Sequence, residues 1–406
     1  MINKNIFFAI LILGLNGCAT DQVNSKEENP KFVKKTELVN TSTSVEETLV
    51  MSEPLSEATM IKSRKTLNEK IGSMLMVGFL GTSAPQNSQI CRDIHDYNLA
   101  GVILFDMNPV NHAQPKNIAT KNQVAKLTQE LQSCSKDGKL LISVDQEGGK
   151  VQRLKRKYGF YGKFPKAKDV IKLSDKRVKQ HYEQMGAELS SVGINYNLAP
   201  DVDLAINKKN HVIYGLGRSF GADPKQVAHY ASIFMDAMHD NGVVTSLKHF
   251  PGHGSSMGDT HKGFVDVTKL WKQKELEPYR LLAGSADTVM VAHVFNKKLD
   301  SKYPATLSAK TVNGKLRQEF GFDGVVITDD LQMGAINKKY GLKNTLKLAI
   351  NAGNDILLFG NQLSVKSMVK TSTLVNNIKS LIKSGEVNMA DIEKSNERLE
   401  RLRGKL

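Results

Sequence analysis

The sequence predicts an α/β fold in which a single (β/α)8 barrel forms the one catalytic-sized domain, and three observations carry that prediction. Eight short strand-like runs recur along the chain. Helix-patterned stretches separate them. Several runs are apolar on both faces, as strands buried in a parallel sheet must be. An open doubly wound sheet is the alternative, although no glycine-rich phosphate-binding turn follows the first run.

In chain order the runs span residues 75–79, 101–105, 140–144, 194–198, 243–247, 288–292, 324–328 and 355–359. Each is rich in Val, Ile, Leu, Met or Phe, which suit a pleated buried surface. Amphipathic helices are predicted over residues such as 118–132, 225–239 and 344–351. Asp223 followed by Pro224 caps the second of these, with the proline in the first turn, where its missing N–H costs nothing. Residues 390–406 read as a charged helix packed outside the barrel.

The first 63 residues read differently from the rest. Lys4 precedes an apolar run, residues 6–15, that is too short to span a bilayer comfortably, so residues 1–18 are expected to be a targeting segment. It ends in Leu15-Asn16-Gly17-Cys18, which resembles the lipobox of bacterial lipoproteins and implies lipidation of Cys18. An ordinary secretory signal is the alternative. Residues 19–63 are rich in Ser, Thr, Asn, Glu and Lys and form an expected flexible tether. Ala19 after the cysteine, rather than Asp, implies by the same resemblance an outer-membrane lipoprotein facing the periplasm. Residues 64–406 are left for one barrel domain.

A net charge of +15 favours solubility, or attraction to an anionic cell wall or to lipid head groups. Basic residues do not interleave with aromatics as a nucleic-acid groove requires, so nucleic acid is not an expected partner. Of the three cysteines, Cys91 and Cys134 fall in predicted helices. They are expected to be buried free thiols, with pairing open in an oxidising compartment.

The densest polar segment is Lys248-His249-Phe250-Pro251-Gly252-His253-Gly254, then Ser255-Ser256-Met257-Gly258, then Asp259-Thr260-His261. It follows a strand-like run, and the carboxyl ends of parallel strands are where such folds place their chemistry. His249 and His253 have zinc-helix spacing, but Pro251 and Gly252 between them break a helix, and the segment has no Glu to serve as a base beside a metal. No metal or organic cofactor is expected. A purely structural loop is the remaining alternative for this segment alone.

Other predicted strand ends are also polar. The third gives Asp145-Gln146-Glu147-Gly148-Gly149 and Arg153, and the fourth leads to Asp201, Asp203 and, farther on, Arg218. The sixth gives His293, and the seventh Asp329-Asp330. Such a mixture suits a hydroxyl-rich ligand, because carboxylates and Lys can each bridge neighbouring hydroxyls. Gly217-Arg218-Ser219-Phe220-Gly221 matches the esterase elbow pattern, but no helix follows at once, so a serine nucleophile is not expected.

Taken together, these motifs resemble glycoside hydrolase family 3, and within it the bacterial β-N-acetylglucosaminidases. The resemblance rests on Asp145 to Gly149, Gly217 to Gly221, Lys248 to Gly254, Asp259-Thr260-His261 and Thr328-Asp329-Asp330-Leu331-Gln332-Met333. It implies that Asp329 is the nucleophile and that His261, held by Asp259, is the acid/base. It further implies that Asp145, Arg153, Arg218, Lys248 and His249 bind the sugar. The implied activity is retaining, exo-acting removal of terminal GlcNAc from peptidoglycan- or chitin-derived glycans by a monomeric, membrane-anchored enzyme. Alternatives are a β-glucosidase, a phosphorolytic enzyme of the family, or a non-catalytic wall-binding lipoprotein.

The chemistry fits those roles. Retention needs a carboxylate to attack the anomeric carbon and a proton donor for the leaving oxygen. Histidine titrates near neutrality and can give the proton and take it back. Strand alternation is expected to point Asp330 away from Asp329, into a structural role. Gly252, Gly254 and Gly258 are expected to let the segment swing as a lid. Two departures stand out: familiar members of the subgroup are cytoplasmic, whereas this chain carries an export signal, and Ser255-Ser256-Met257-Gly258 replaces a more acidic spacer.

Overall fold

Eight parallel strands form one sheet whose two edges nearly meet. They are β1 (Leu75–Val77), β2 (Gly101–Ile103), β3 (Leu141–Val144), β4 (Tyr196–Asn197), β5 (Val244–Phe250), β6 (Thr288–Val291), β7 (Val325–Thr328) and β8 (Leu357–Phe359). Neighbours pair in sequence order, and β8 returns to β1 in the register Leu75↔Leu357. A bridge between Ile327 and Ile356 joins the remaining edges. The computed structural model describes residues 65–260 and 263–406. The targeting segment, Cys18, the tether and His261 therefore lie outside the described residues.

Every predicted run contains a strand, mostly trimmed at its ends. β5 departs in the other direction and continues through Phe250. Backbone bonds from Lys248 N to Pro200 O (3.2 Å) and from Ala292 N to Phe250 O (2.8 Å) extend its pairing. Lys248 and His249 thus sit on a strand rather than in a loop. Their polarity hid this, because an alternating apolar signal stops at Leu247.

Helices follow the strands as crossovers: Gln89–Tyr97, Lys121–Cys134, Asp175–Ser190, Pro224–His239, Glu277–Leu282, Lys310–Glu319, Leu342–Ala352 and Thr371–Lys383. Asp223 caps the fourth as expected, accepting from Gln226 N at 2.8 Å. Side chains alternate between two buried layers. Met76, Ile103, Tyr196, Met290, Ile327 and Leu358 belong to the barrel interior, where Tyr196 Oη lies 2.7 Å from Thr288 Oγ1. The other faces pack on the helices in a larger cluster.

Two expectations are corrected here. Cys91 and Cys134 are not free thiols; they form a disulfide joining the first two crossover helices, with Cα atoms 5.1 Å apart. The closing helix, Met389–Arg403, does more than lie against the outside. Its Leu399 and Leu402 join the interior cluster, and Arg403 donates to the carbonyls of Leu99 and Ala100, the two residues that lead into β2. It therefore plugs the amino-terminal mouth of the barrel and leaves the carboxyl mouth for a ligand.

Candidate active site

The carboxyl end of β3 turns straight into a small antiparallel ribbon, Gln146–Gly148 against Val151–Gln152. Asn197 at the end of β4 fixes it, accepting from Gln146 N (3.0 Å) and donating to Gln146 O (3.0 Å). Gln146 in turn accepts from Arg153 N and Leu154 N. The ribbon thereby holds Asp145, Glu147 and Arg153 against the end of β5.

There the side chains form a continuous ionic network. Lys248 Nζ reaches Asp145 Oδ1 (3.0 Å) and Glu147 Oε1 (2.7 Å). Arg153 Nη2 takes the other oxygen of Asp145 at 3.0 Å. Arg218 meets Glu147 side-on, and its Nε lies 3.1 Å from Asp201 Oδ2. That last approach lacks hydrogen-bond alignment, since Asp201 Oδ2 has no hydrogen-bond partner among the described residues. His249 Nδ1 is 2.8 Å from Asp203 Oδ2, and its Nε2 is 3.4 Å from Arg218 Nη2.

Burial and pairing set opposite protonation tendencies within this cluster. Burial alone raises Asp145 and Glu147, yet the adjacent cations outweigh it and hold both carboxyls well below their usual range. Burial also works against the Lys248 ammonium, but Glu147 and Asp145 more than compensate, and Lys248 stays charged. For Asp201 and Asp203 burial dominates: Asp201 rises well above its ordinary value and Asp203 to about 6. Burial, reinforced by Arg218, lowers His249 to about 4, so at neutral pH it is an uncharged imidazole. Asp201, Asp203 and His249 also offer three ligand atoms within 4.8 Å of one another. Within that cluster His249 is bonded to Asp203, while Asp201 Oδ2 lies beside Arg218 without an aligned hydrogen bond.

A cavity of about 350 Å³ opens over this network. Asp145, Arg153, Arg218, Lys248 and His249 line it, as do Asp259, Asp329 and Asp330. Its apolar floor consists of barrel-interior residues, among them Ile103, Leu198, Met290 and Leu358. This volume is at the small end for ligand sites, with room for about one sugar ring.

Asp329 follows β7; its amide donates to Val291 O (3.0 Å), and its Oδ1 accepts from Asp330 N (2.8 Å). Asp330 Oδ1 accepts from Gln332 N (3.0 Å), in keeping with the structural role expected of it, although the residue also borders the cavity. The strand ends at Thr328, so the pleat does not extend to either aspartate, and both line the cavity. Burial, with a smaller contribution from Asp329, raises Asp330 to about 6. His293 stays out of the cavity, hydrogen-bonded to Thr306 Oγ1 and Asp330 O. Ser219 Oγ bonds to Gly221 O at 2.9 Å within its own turn, away from any nucleophile elbow.

Hydrogen bonds hold the loop after β5 along its first half. Asn210 Nδ2 donates to His253 O (2.8 Å) and Gly254 O (3.1 Å), while Asn207 Nδ2 donates to Ser255 O and Ser256 O. Asp203 accepts from His253 N (2.6 Å) and Glu275 from Ser255 N (3.1 Å). The glycines serve close approach: a Cβ on Gly254 would lie 2.0 Å from Leu204 O, and one on Gly252 2.5 Å from Glu275 Cβ. Close packing against neighbouring chain therefore accounts for glycine at these two positions.

Sequence reasoning placed Glu147, Asp201 and Asp203 among the polar strand ends without giving them a role, and passed over Asn210. A signal existed for Glu147: it sits two residues after Asp145 in a ribbon, where alternate residues share a face. Asn210 carried none, because its partners lie more than forty residues away in the chain.

Comparison with known proteins adds to this geometry. The profile of the glycosyl hydrolase family 3 N-terminal domain matches residues 66–402. A β-hexosaminidase of Xylella fastidiosa strain M23 is 33% identical over 299 residues, covering 70% of this chain and 82% of that protein. The solved structure of a glycoside hydrolase family 3 β-N-acetylglucosaminidase from Paenibacillus sp. str. FPU-7 aligns with a TM-score of 0.75 at 33% identity. That alignment covers 84% of this chain and 63% of the Paenibacillus chain, so less than two thirds of that longer protein is represented here. A β-N-acetylhexosaminidase from Beutenbergia cavernae aligns with a TM-score of 0.74 at 27% identity, over 84% of this chain and 99% of its own.

Proposed function

The chain belongs to glycosyl hydrolase family 3 and is a glycoside hydrolase, and from that premise we propose a retaining exo-β-N-acetylglucosaminidase. Its substrate is a peptidoglycan- or chitin-derived glycan with a terminal non-reducing GlcNAc. The observation that carries this reading is the single cavity in which Asp329 and Asp259 stand together with the five proposed sugar-binding residues.

In the proposed mechanism Asp329 attacks the anomeric carbon and the glycosidic C–O bond breaks as His261 delivers a proton to the leaving oxygen. His261 then takes a proton from water, which displaces Asp329 and restores the starting enzyme. Asp259 orients the imidazole and stabilises its charged form, as carboxylates do in triads. Asp145, Lys248, Arg153, Arg218 and neutral His249 bind the sugar hydroxyls. Their charges are mutually matched, so they can hydrogen-bond a neutral ligand without stranding a buried ion. The Cys91–Cys134 disulfide suits an oxidising compartment and so supports export; the form we propose is a lipoprotein anchored through Cys18 at the outer membrane and facing the periplasm.

Incubation with a 5-fluoro GlcNAc donor, followed by peptide mass spectrometry, tests the mechanism. A label on Asp329, absent from Asp329→Ala, is the expected result. A label on another residue overturns the assignment.

A further inference from the structure

A second cavity, of about 630 Å³, opens beside the first and shares Phe105, Arg153, Gln362 and Leu363 with it. The two differ in charge. The first holds four carboxylates, Asp145, Asp259, Asp329 and Asp330, against Arg153, Arg218 and Lys248. The second holds Arg153, Lys155 and Lys157 against the single carboxylate of Asp106. That carboxylate is already engaged, 2.5 Å from Lys155 Nζ and 3.4 Å from Tyr158 Oη.

Lys157 pairs with no carboxylate among the described residues; its Nζ lies 4.7 Å from the centre of the Tyr158 ring. Arg153 lies 5.2 Å over the Phe105 ring, and its buried Nε has no hydrogen-bond partner among the described residues. The shared wall therefore presents the flat face of Phe105 beside Arg153, whose charge Asp145 already engages, while Lys157 on the second cavity's own lining adds an exposed cation with no carboxylate at ion-pair distance among the described residues.

We propose that this second cavity receives the leaving-group side of the substrate and selects leaving groups that carry a negative charge, with Lys157 as a specificity-determining residue. The inference rests on the hydrolase reading above. A small pocket that holds one terminal sugar must let the rest of the glycan out, and the wall common to both cavities is a route bordered by polar and aromatic groups. Positive charge that the protein leaves unmatched draws an anion and orients it on approach.

The test uses two nitrophenyl β-GlcNAc glycosides whose aglycones differ only in carrying a carboxylate or its neutral carboxamide. The quantity read is the kcat/KM ratio, carboxylate over carboxamide. Comparing that ratio between enzyme variants cancels the intrinsic difference in leaving-group basicity. In Lys157→Ala the ratio is expected to fall roughly three- to five-fold, the scale of an exposed charge pair, and to fall further in Lys157→Glu. Raising NaCl to 1 M shortens the screening length to about 3 Å and should shrink the wild-type ratio toward that of the variants. A ratio that Lys157→Glu leaves unchanged overturns the inference while leaving the hydrolase reading intact. Failure of wild type to turn over either GlcNAc glycoside overturns both.

Discussion

Arg218 grips Glu147 side-on, with Nε 2.8 Å from Oε2 and Nη2 2.7 Å from Oε1. This buried fork links the ribbon after β3 to the chain after β4, and Lys248 on β5 closes the triangle through Glu147 Oε1. Glu147→Ala takes the shared carboxylate from two buried cations, leaving Lys248 only Asp145 and Arg218 only its poorly aligned approach to Asp201. It should cost about 3–5 kcal/mol, the range for breaking a buried ion pair, read as a lower urea midpoint, and should raise KM for a GlcNAc glycoside. An unchanged midpoint would refute the network's role.

Asn210 holds the loop that carries Asp259 by two donated hydrogen bonds. Asn210→Ala should lower kcat by ten-fold or more, because misplacing a reacting group by about 1 Å costs rate on that scale. Single-turnover kinetics check this, with the melting temperature as a control for global loss.

Glu275 gives a pH prediction. Burial raises its carboxyl to about 7, against an ordinary value of 4.5. Between those values the folded protein keeps a proton that the unfolded chain has released, so this group's contribution to stability falls as pH rises. Glu275→Gln removes that slope. The melting temperature of the variant relative to wild type should therefore be higher at pH 8 than at pH 5, and a flat difference would contradict the assignment.

His239 shifts stability in the same direction with pH, but through a favourable contact rather than a buried penalty. Its hydrogen bond to buried Asp287 outweighs desolvation and raises its pKa above 6.5. The stabilisation is complete below the unfolded value and is lost as pH rises through the folded one. Thermal melts of wild type and His239→Ala should differ most at acidic pH and converge in mildly alkaline buffer.

The Cys91–Cys134 bond closes a loop with a sequence separation of 43. On chain-entropy grounds its removal costs about 4 kcal/mol. Denaturation of the Cys91→Ser/Cys134→Ser double variant measures this, and a shift of less than about 1 kcal/mol would show that strain or residual structure cancels the entropy.

The strands were legible because burial on both faces of a parallel sheet leaves little choice but aliphatic residues. The motifs at their ends were legible because Asp, Lys and His are costly beside such runs and stand out against them. Which charge pairs with which was not legible. Glu147 and Arg218 lie 71 residues apart, and only barrel closure decides that they meet. The disulfide was hidden for the same reason. Alternation could not place Asp330 beside the cavity, because a two-residue period applies only while the strand lasts, and β7 ends one residue before Asp329.

The pairing of β1 with β8 sets a condition on biosynthesis. A chain emerging from the ribosome presents the edge of its first strand long before the last strand exists, and the plug supplied by Leu399, Leu402 and Arg403 arrives later still. Partial products cannot seal themselves, so early termination near the carboxyl end leaves an open, adhesive sheet edge rather than a smaller working enzyme.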